Sequence, residues 1–304
     1  MKSIVIAGGS GLIGRAVAAE AAGRGYRVVI LTRKGASPGA DSFPENFLVT
    51  DYKTIESQPS ILPDEPYIFV NLAGASVGVW PWSRRRKEMI LLSRLEAVIW
   101  MKAFFIRTGI YPDLILQASA TGFYGNTLRL CTEESPSGNG FLASVVRQWE
   151  SALHDFDRCR VVWLRTGVVL AREGGALERL AAPLKFAPGV WMGNGKQYFP
   201  WIHIQDVSGV MLWLTENNIH GPVNLVAPEA VTNKTFMQAL CERMHRPLLF
   251  GLPVPLIRLM VGKTFADEMI LNNQHVVPEK LIKGGYPFRF PELNSSLNDL
   301  LPDE

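Results

Sequence analysis

A chain of 304 residues with 47% hydrophobic content can bury one large core or two modest ones, and its formal net charge of +3 is too small to argue for nucleic acid or an anionic membrane as partner. Cys131, Cys159 and Cys241 are odd in number, far apart and without metal-ligand spacing, which argues against a disulfide framework or structural zinc and suits a reducing cytoplasm. No apolar run approaches membrane-spanning length, and the apolar stretch before Gly8 is too short for a secretory leader, so a cytoplasmic protein acting on a small molecule, as monomer or homodimer, is expected.

The first element, Ile4–Ala7, is an apolar run short enough to lie fully buried in a parallel sheet. It breaks directly into Gly8-x-x-Gly11-x-x-Gly14, and Leu12 to Gly23 then places small and apolar residues at helical spacing. Glycines on such a strand-to-helix turn let the backbone turn sharply, let a ligand come close, and let helix pack on strand with no side chain between them. The unpaired N–H groups of the first helical turn, at the positive end of the helix dipole, then face a diphosphate. With a second strand at Arg27–Thr32, this unit predicts a dinucleotide site. An NAD site usually carries an acidic residue on that strand. Here it ends Thr32-Arg33-Lys34, a hydroxyl and two cations that suit a 2′-phosphate, so NADP (NADPH) is favoured over NAD; the plain alternative is a solvated basic loop.

Further strands are expected at Phe47–Val49, Pro66–Leu72, Leu114–Ala118 and Val161–Arg165, with helices at Ser83–Thr108 and Phe141–Asp155. Strands alternating with helices predict an α/β, Rossmann-type, doubly wound parallel sheet, whose ligands bind beyond the carboxyl ends of the strands. Those ends, at Gly8, Thr32, Asn71–Gly74 and Ala118–Gly122, converge on one crevice. The basic run Arg84–Lys87 opens the long helix and reads as a solvated face or an anion contact. From about residue 170, Gly and Pro become dense and helices shorten. A Rossmann domain over 1–170 is therefore expected, with 203–228 returning to the sheet. Residues 171–202 and 229–304 would form a smaller C-terminal α/β substrate-side subdomain, with short helices at Pro253–Gly262 and Asp267–Leu271.

Ten stretches occur together in order: Gly8–Gly14, Leu31–Arg33, Asn71–Gly74, Trp82 with Ser93-Arg94, Ser119–Gly125, Thr132–Pro136, Leu164–Leu170, Gly193–Gln197, Trp201–Asp206 and Gly221–Pro228. In them the chain resembles the extended short-chain dehydrogenase/reductases. More closely, it resembles their atypical branch of epimerase family proteins (epimerase/dehydratase-like), with a small C-terminal domain of unknown function. The resemblance implies that Gly8, Ser10, Gly11, Leu12 and Ile13 line the diphosphate. It implies too that Thr32 and Arg33 hold the 2′-phosphate, and that Asp51 approaches the adenine. Leu72, Ala73 and Gly74 would run beside the dinucleotide, and Ser119 to Thr121 would lie near the nicotinamide. For Leu72–Gly74 the alternative is a tightly packed strand end.

The chemistry of active members needs a Tyr followed four residues later by Lys, and none of the seven tyrosines here has that partner. The corresponding segment offers Phe141 or Leu142 and Val145 or Val146, which transfer no proton. Sugar-nucleotide enzymes of this type also place an Arg where Phe199 stands and an Asn where Val168 stands, so a nucleotide-sugar substrate is disfavoured. Ser119, Thr121 and Tyr124 remain as catalytic candidates. Tyr124, with no cation in view, should keep a pKa near 10 and reads equally as a structural residue. Arg94, grouped with the cofactor contacts, points either into the crevice or to the surface. Asp206 reads as a helix N-cap, His203 as an organiser of the same loop, and Glu133 and Glu134 as solvated turn residues. Trp80, Trp82, Trp191 and Trp201 form either an aromatic wall of the crevice or core. The favoured function is an NADP(H)-dependent oxidoreductase acting on a carbonyl or carbinol carbon. Its rivals are a non-catalytic NADP(H) sensor and a nucleotide-sugar epimerase.

Overall fold

Side chains along a strand alternate between faces, and a parallel sheet covered on both sides buries them all. The computed structural model, which describes residues 2–33, 47–62 and 67–302, follows that rule. Its sheet contains β1 (Ser3–Ala7), β2 (Arg27–Thr32), β3 (Leu48–Asp51), β4 (Tyr67–Asn71), β5 (Leu114–Ala120), β6 (Arg160–Thr166) and β7 (Gly221–Leu225), in the order β7-β6-β5-β4-β1-β2-β3, all parallel. Ile4 and Ile6 of β1 pack against Val17 of α1 (Leu12–Gly23) and Met211 of α6 (Ile204–Glu216). Val5 and Ala7 face the other layer, with Phe104 of α3 (Arg84–Thr108) and Trp149 of α4 (Phe141–Ser151). The sheet is thus doubly wound, with α2 (Tyr52–Ser57) at the β3 edge. α3 starts where expected because the Ser83 hydroxyl accepts the Arg86 N–H (3.2 Å), and it ends at Gly109. α4 stops at Ser151, short of the expected Asp155, whose carboxylate pairs with Lys102 of α3 instead (2.6 Å).

A second core gathers Leu170, Leu177 of α5 (Gly175–Ala181), Trp201, Phe236 and Leu240 of α7 (Asn233–Arg243), and Leu297 near the C-terminus. The chain crosses back after α8 (Val254–Val261). His275–Val276 pairs with Leu130–Cys131, and Leu281 and Tyr286 join the core on the α1/α6 side of the sheet. Among the described residues no helix is long and apolar enough to cross a membrane. Cys131, Cys159 and Cys241 are free thiols.

The α6 start differs from expectation. His203, not Asp206, is the N-cap: its Nδ1 accepts the Gln205 N–H (3.0 Å), while Nε2 meets Asp299 (3.2 Å) and the ring stacks on Phe290 at 3.8 Å. Asp206, in the first turn, accepts the N–H groups of Arg289 and Phe290 (2.8 and 2.9 Å) and so anchors the returning C-terminal segment. Burial lowers the His203 pKa, partly offset by Asp299. The unfolded chain therefore binds a proton near pH 6.5 that the folded protein resists. The stability at stake is fully present above that pH and is lost as pH falls below it. A His203→Asn variant keeps a capping acceptor, an amide oxygen in place of the ring Nδ1, but loses the ring contacts. We expect it to be about 1–2 kcal/mol less stable at pH 7.5, with the gap to the parent narrowing by pH 5 in urea titrations. A constant gap would mean that His203 is not what sets the acid limb.

Candidate functional site

The glycine turn has the shape a diphosphate needs. Gly8 adopts φ +77°, and a Cβ there would lie 3.0 Å from the Leu72 carbonyl; at Gly14 one would lie 2.5 Å from the Gly9 Cα. Only hydrogen at these positions lets the turn sit against the β4 end and α1 against β1. Gly11 caps α1 with no side-chain hydrogen bond, and the first turn holds no acid, so the N–H groups of Leu12 and Ile13 point outward with nothing negative built in. Ser10 contributes its carbonyl to Arg15 Nη1 (3.2 Å), placing an exposed guanidinium, missed in the sequence reading, beside the turn. The cradle fits a dinucleotide diphosphate.

At the tip of β2, Thr32 is buried, with its hydroxyl toward the Thr50 carbonyl (3.5 Å), and Arg33 is exposed; Lys34 lies outside the described residues. Asp51 ends β3 and caps α2, accepting the Thr54 N–H at 2.8 Å. Leu72, Ala73 and Gly74 follow β4, with the Leu72 carbonyl beside Gly8. Leu72 N–H bonds to Ala7 of β1, and Ala73 N–H to the Asn71 side chain (3.2 Å). Arg94 lies against Gly74. Its Nη1 donates to the carbonyls of Ala75 (3.0 Å) and Ile90 (2.8 Å), and the guanidinium sits 4.9 Å from the Trp149 ring centre. Burial, with Arg86 adding to it, pulls Arg94 down to about 10.

The three hydroxyls expected near a nicotinamide turn inward. Ser119 donates to Glu150 of α4 (2.6 Å), Thr121 to the Gln274 side chain (3.0 Å), and Tyr124 to Asn224 of β7 (2.6 Å). Contrary to the sequence reading, Tyr124 does have a cation beside it. Arg165 of β6 donates to its oxygen (3.1 Å), yet burial pushes the phenol up to about 12. Arg165 also grips Glu150 with two bonds (3.0 and 2.9 Å) and stacks 3.5 Å from the centre of the Phe123 ring. Glu133 is not solvated either. At 3% exposure it accepts the Asn224 and Lys280 N–H groups (3.0 and 3.3 Å), and burial raises its pKa. The turn that carries it folds under the edge of the sheet, where backbone N–H groups need an acceptor.

The C-terminal segment closes the far side. Glu268, in a π-helical turn over Ala266–Ile270, caps α4 by accepting the N–H groups of Phe141 (2.7 Å) and Leu142 (3.1 Å). Trp82 sits edge-on to Phe141 and Phe265 (5.3 and 5.2 Å), and exposed Trp80 donates to the Val261 carbonyl (2.8 Å). Trp201 is core, Trp191 lies under Lys234, and Phe199 packs on Phe236.

Residues 4–227 match the NAD dependent epimerase/dehydratase family, and residues 252–300 match a domain of unknown function, DUF1731. The chain belongs to that epimerase/dehydratase family. Epimerase family protein SDR39U1 of Mus musculus is 32% identical across 98% of this chain and 99% of its own length, and that of Homo sapiens 31% across 98% and 99%. The crystal structure of human epimerase family protein SDR39U1 with NADPH is similar at a TM-score of 0.88 and 29% identity, covering 99% of this chain and 100% of that one. Thermus thermophilus UDP-glucose 4-epimerase with NAD, at 0.76 and 17% over 99% and 100%, shares the fold alone. Within this family frame, the segment that should carry the Tyr-x-x-x-Lys pair is the start of α4, where Phe141 lies against Trp82 and Val145 is buried.

Proposed function

We propose that the protein binds NADP(H) and exchanges a hydride with a small carbonyl or carbinol compound in the crevice between the glycine turn, Leu72–Gly74 and the start of α4. The observation that carries this reading is the uncapped, acid-free N-terminus of α1 set against the backbone of Leu72. The NADPH in the similar human structure supports the choice of dinucleotide. Gly8, Ser10, Gly11, Leu12 and Ile13 would hold the diphosphate, and Thr32 and Arg33 the 2′-phosphate. Asp51 would lie toward the adenine. When bound, the cofactor supplies or accepts the hydride. With Ser119, Thr121 and Tyr124 in buried bonds, the proton comes from water in the crevice, and the reducing cytoplasm is the expected setting.

That inward turn of all three hydroxyls also favours a second reading, a sensor whose NADP(H) occupancy is its output. The deciding experiment follows NADPH consumption over a carbonyl panel with the parent, Gly11→Asp and Tyr124→Phe proteins. Turnover that disappears in Gly11→Asp supports the enzyme; tight NADPH binding without turnover supports the sensor. Tyr124→Phe leaves Asn224 and Arg165 short of a partner. It is expected to lower stability by about 1–3 kcal/mol while retaining whatever turnover the parent has. Turnover lost at unchanged stability would instead put the phenol in the chemistry.

A further inference from the structure

We infer that the substrate end of this crevice binds an anionic group, a carboxylate or a phosphate, through Arg94 and Arg86; this rests on the crevice being the reaction site and names the substrate class. The loop after β4 is held by three guanidiniums. Arg94 donates to the Ala75 carbonyl, Arg86 to that of Ser76, and Arg179 of α5 to that of Gly78. Among the described residues none of the three has a carboxylate within ion-pairing distance. Half-buried cations are ordinarily paired, and Arg94 and Arg86, whose polar contacts are backbone carbonyls and, for Arg86, the Met89 sulfur (3.4 Å), keep capacity for an anion; Arg179 is exposed. Arg94 spends one nitrogen on the Ala75 and Ile90 carbonyls, and among the described residues the buried Arg86 Nε has no hydrogen-bond partner.

The helix itself points the same way. Arg84, Arg85, Arg86 and Lys87 open α3, whose first turn contains no acid, so four cations crowd the positive end of a helix dipole. Among the described residues Arg84 is the one of these four that meets a carboxylate, that of Glu88 (3.1 Å). Lys87, Leu91 and Arg94 share one stripe of α3. Lys87 Nζ stands 5.5 Å from the ring centre of Phe141, and the adjoining cleft of about 370 Å³ is lined by Arg84, Lys87, Glu88, Leu91 and Phe141. The phosphates of a dinucleotide are provided for elsewhere, at α1 and the β2 tip, and its nicotinamide end carries no anionic group. An anion at Arg94 therefore belongs to a second molecule, such as an oxo or hydroxy acid or a phosphorylated carbonyl compound. Guanidiniums suit either by paired, charge-assisted bonds.

Calorimetry on the full chain, with and without NADPH, in a buffer free of other oxyanions, tests this with sodium malonate and sodium phosphate as probes. At least one should bind the parent, about tenfold more weakly in Arg94→Met and in Arg86→Met, with partial recovery in Arg94→Lys. A preference for malonate names a carboxylate, and a preference for phosphate a phosphorylated substrate. No binding of either anion, or affinities unchanged in both variants, overturns the inference. So does a matching loss of NADPH affinity in Arg94→Met, which would make Arg94 a cofactor contact. Absence of NADPH binding in the parent would sink the proposed function while leaving the anion titration without cofactor to score this inference by itself.

Discussion

Replacing Gly11 with Asp is expected to abolish NADPH binding and leave the fold as stable as before. Gly11 sits at φ −76° and ψ 171°, extended backbone open to any residue, and a Cβ there would meet the Gly8 carbonyl at 3.3 Å, a tight contact that a shift of a few tenths of an ångström in this exposed turn relieves. Aspartate is among the favoured N-caps and gains at most a few tenths of a kcal/mol over glycine, so Tm should move by no more than about 2 °C. The same carboxylate would take an N–H from the first turn and set a negative charge beside the diphosphate. At about 5 Å and an effective dielectric near 20, that repulsion is about 3 kcal/mol, more than a hundredfold in affinity. Quenching or enhancement of NADPH fluorescence reads the affinity, and thermal unfolding reads the fold. An undiminished affinity would remove the diphosphate from this helix end and with it the proposed function.

The largest loss of stability is expected from Arg165→Met. Its side chain is 5% exposed and Glu150's 14%, so the pair is scarcely screened by solvent. Among the described residues, removing Arg165 strands the Glu150 carboxylate with the Ser119 hydroxyl as its remaining donor, and takes from Tyr124 and the Glu133 carbonyl the donor they share. Breaking a buried pair from one side costs about 3–5 kcal/mol, whereas replacing both members with apolar residues is often near neutral. The double variant Arg165→Met/Glu150→Leu should therefore regain most of what the single variant loses. Urea midpoints for the parent, both single variants and the double form the cycle. Additive losses would mean that the two side chains act independently, contrary to the bonds between them.

What could be read in advance follows the range of the interactions. Ile4–Gly14 and α3 were legible because a strand run, a glycine turn and a serine cap act within a turn or two of chain. The fate of Tyr124 was not, because Asn224 lies 100 residues away, and the cap of α4 was not, because Glu268 is 127 residues from Phe141. Glu133 looked like a turn residue by its neighbours, and the Asn224 and Lys280 N–H groups that meet its buried carboxylate arrive from 91 and 147 residues away.

By itself, then, the sequence determined the doubly wound sheet, the glycine cradle and the absence of a Tyr-x-x-x-Lys pair. Each depends on residue identity and on spacing along one strand or helix. The tertiary structure alone decided which polar groups remain available to a ligand. A buried hydroxyl or carboxylate must find a partner wherever the folded chain brings one, and here the partners turned the candidate hydroxyls inward, while Arg94 and Arg86 meet backbone carbonyls rather than carboxylates.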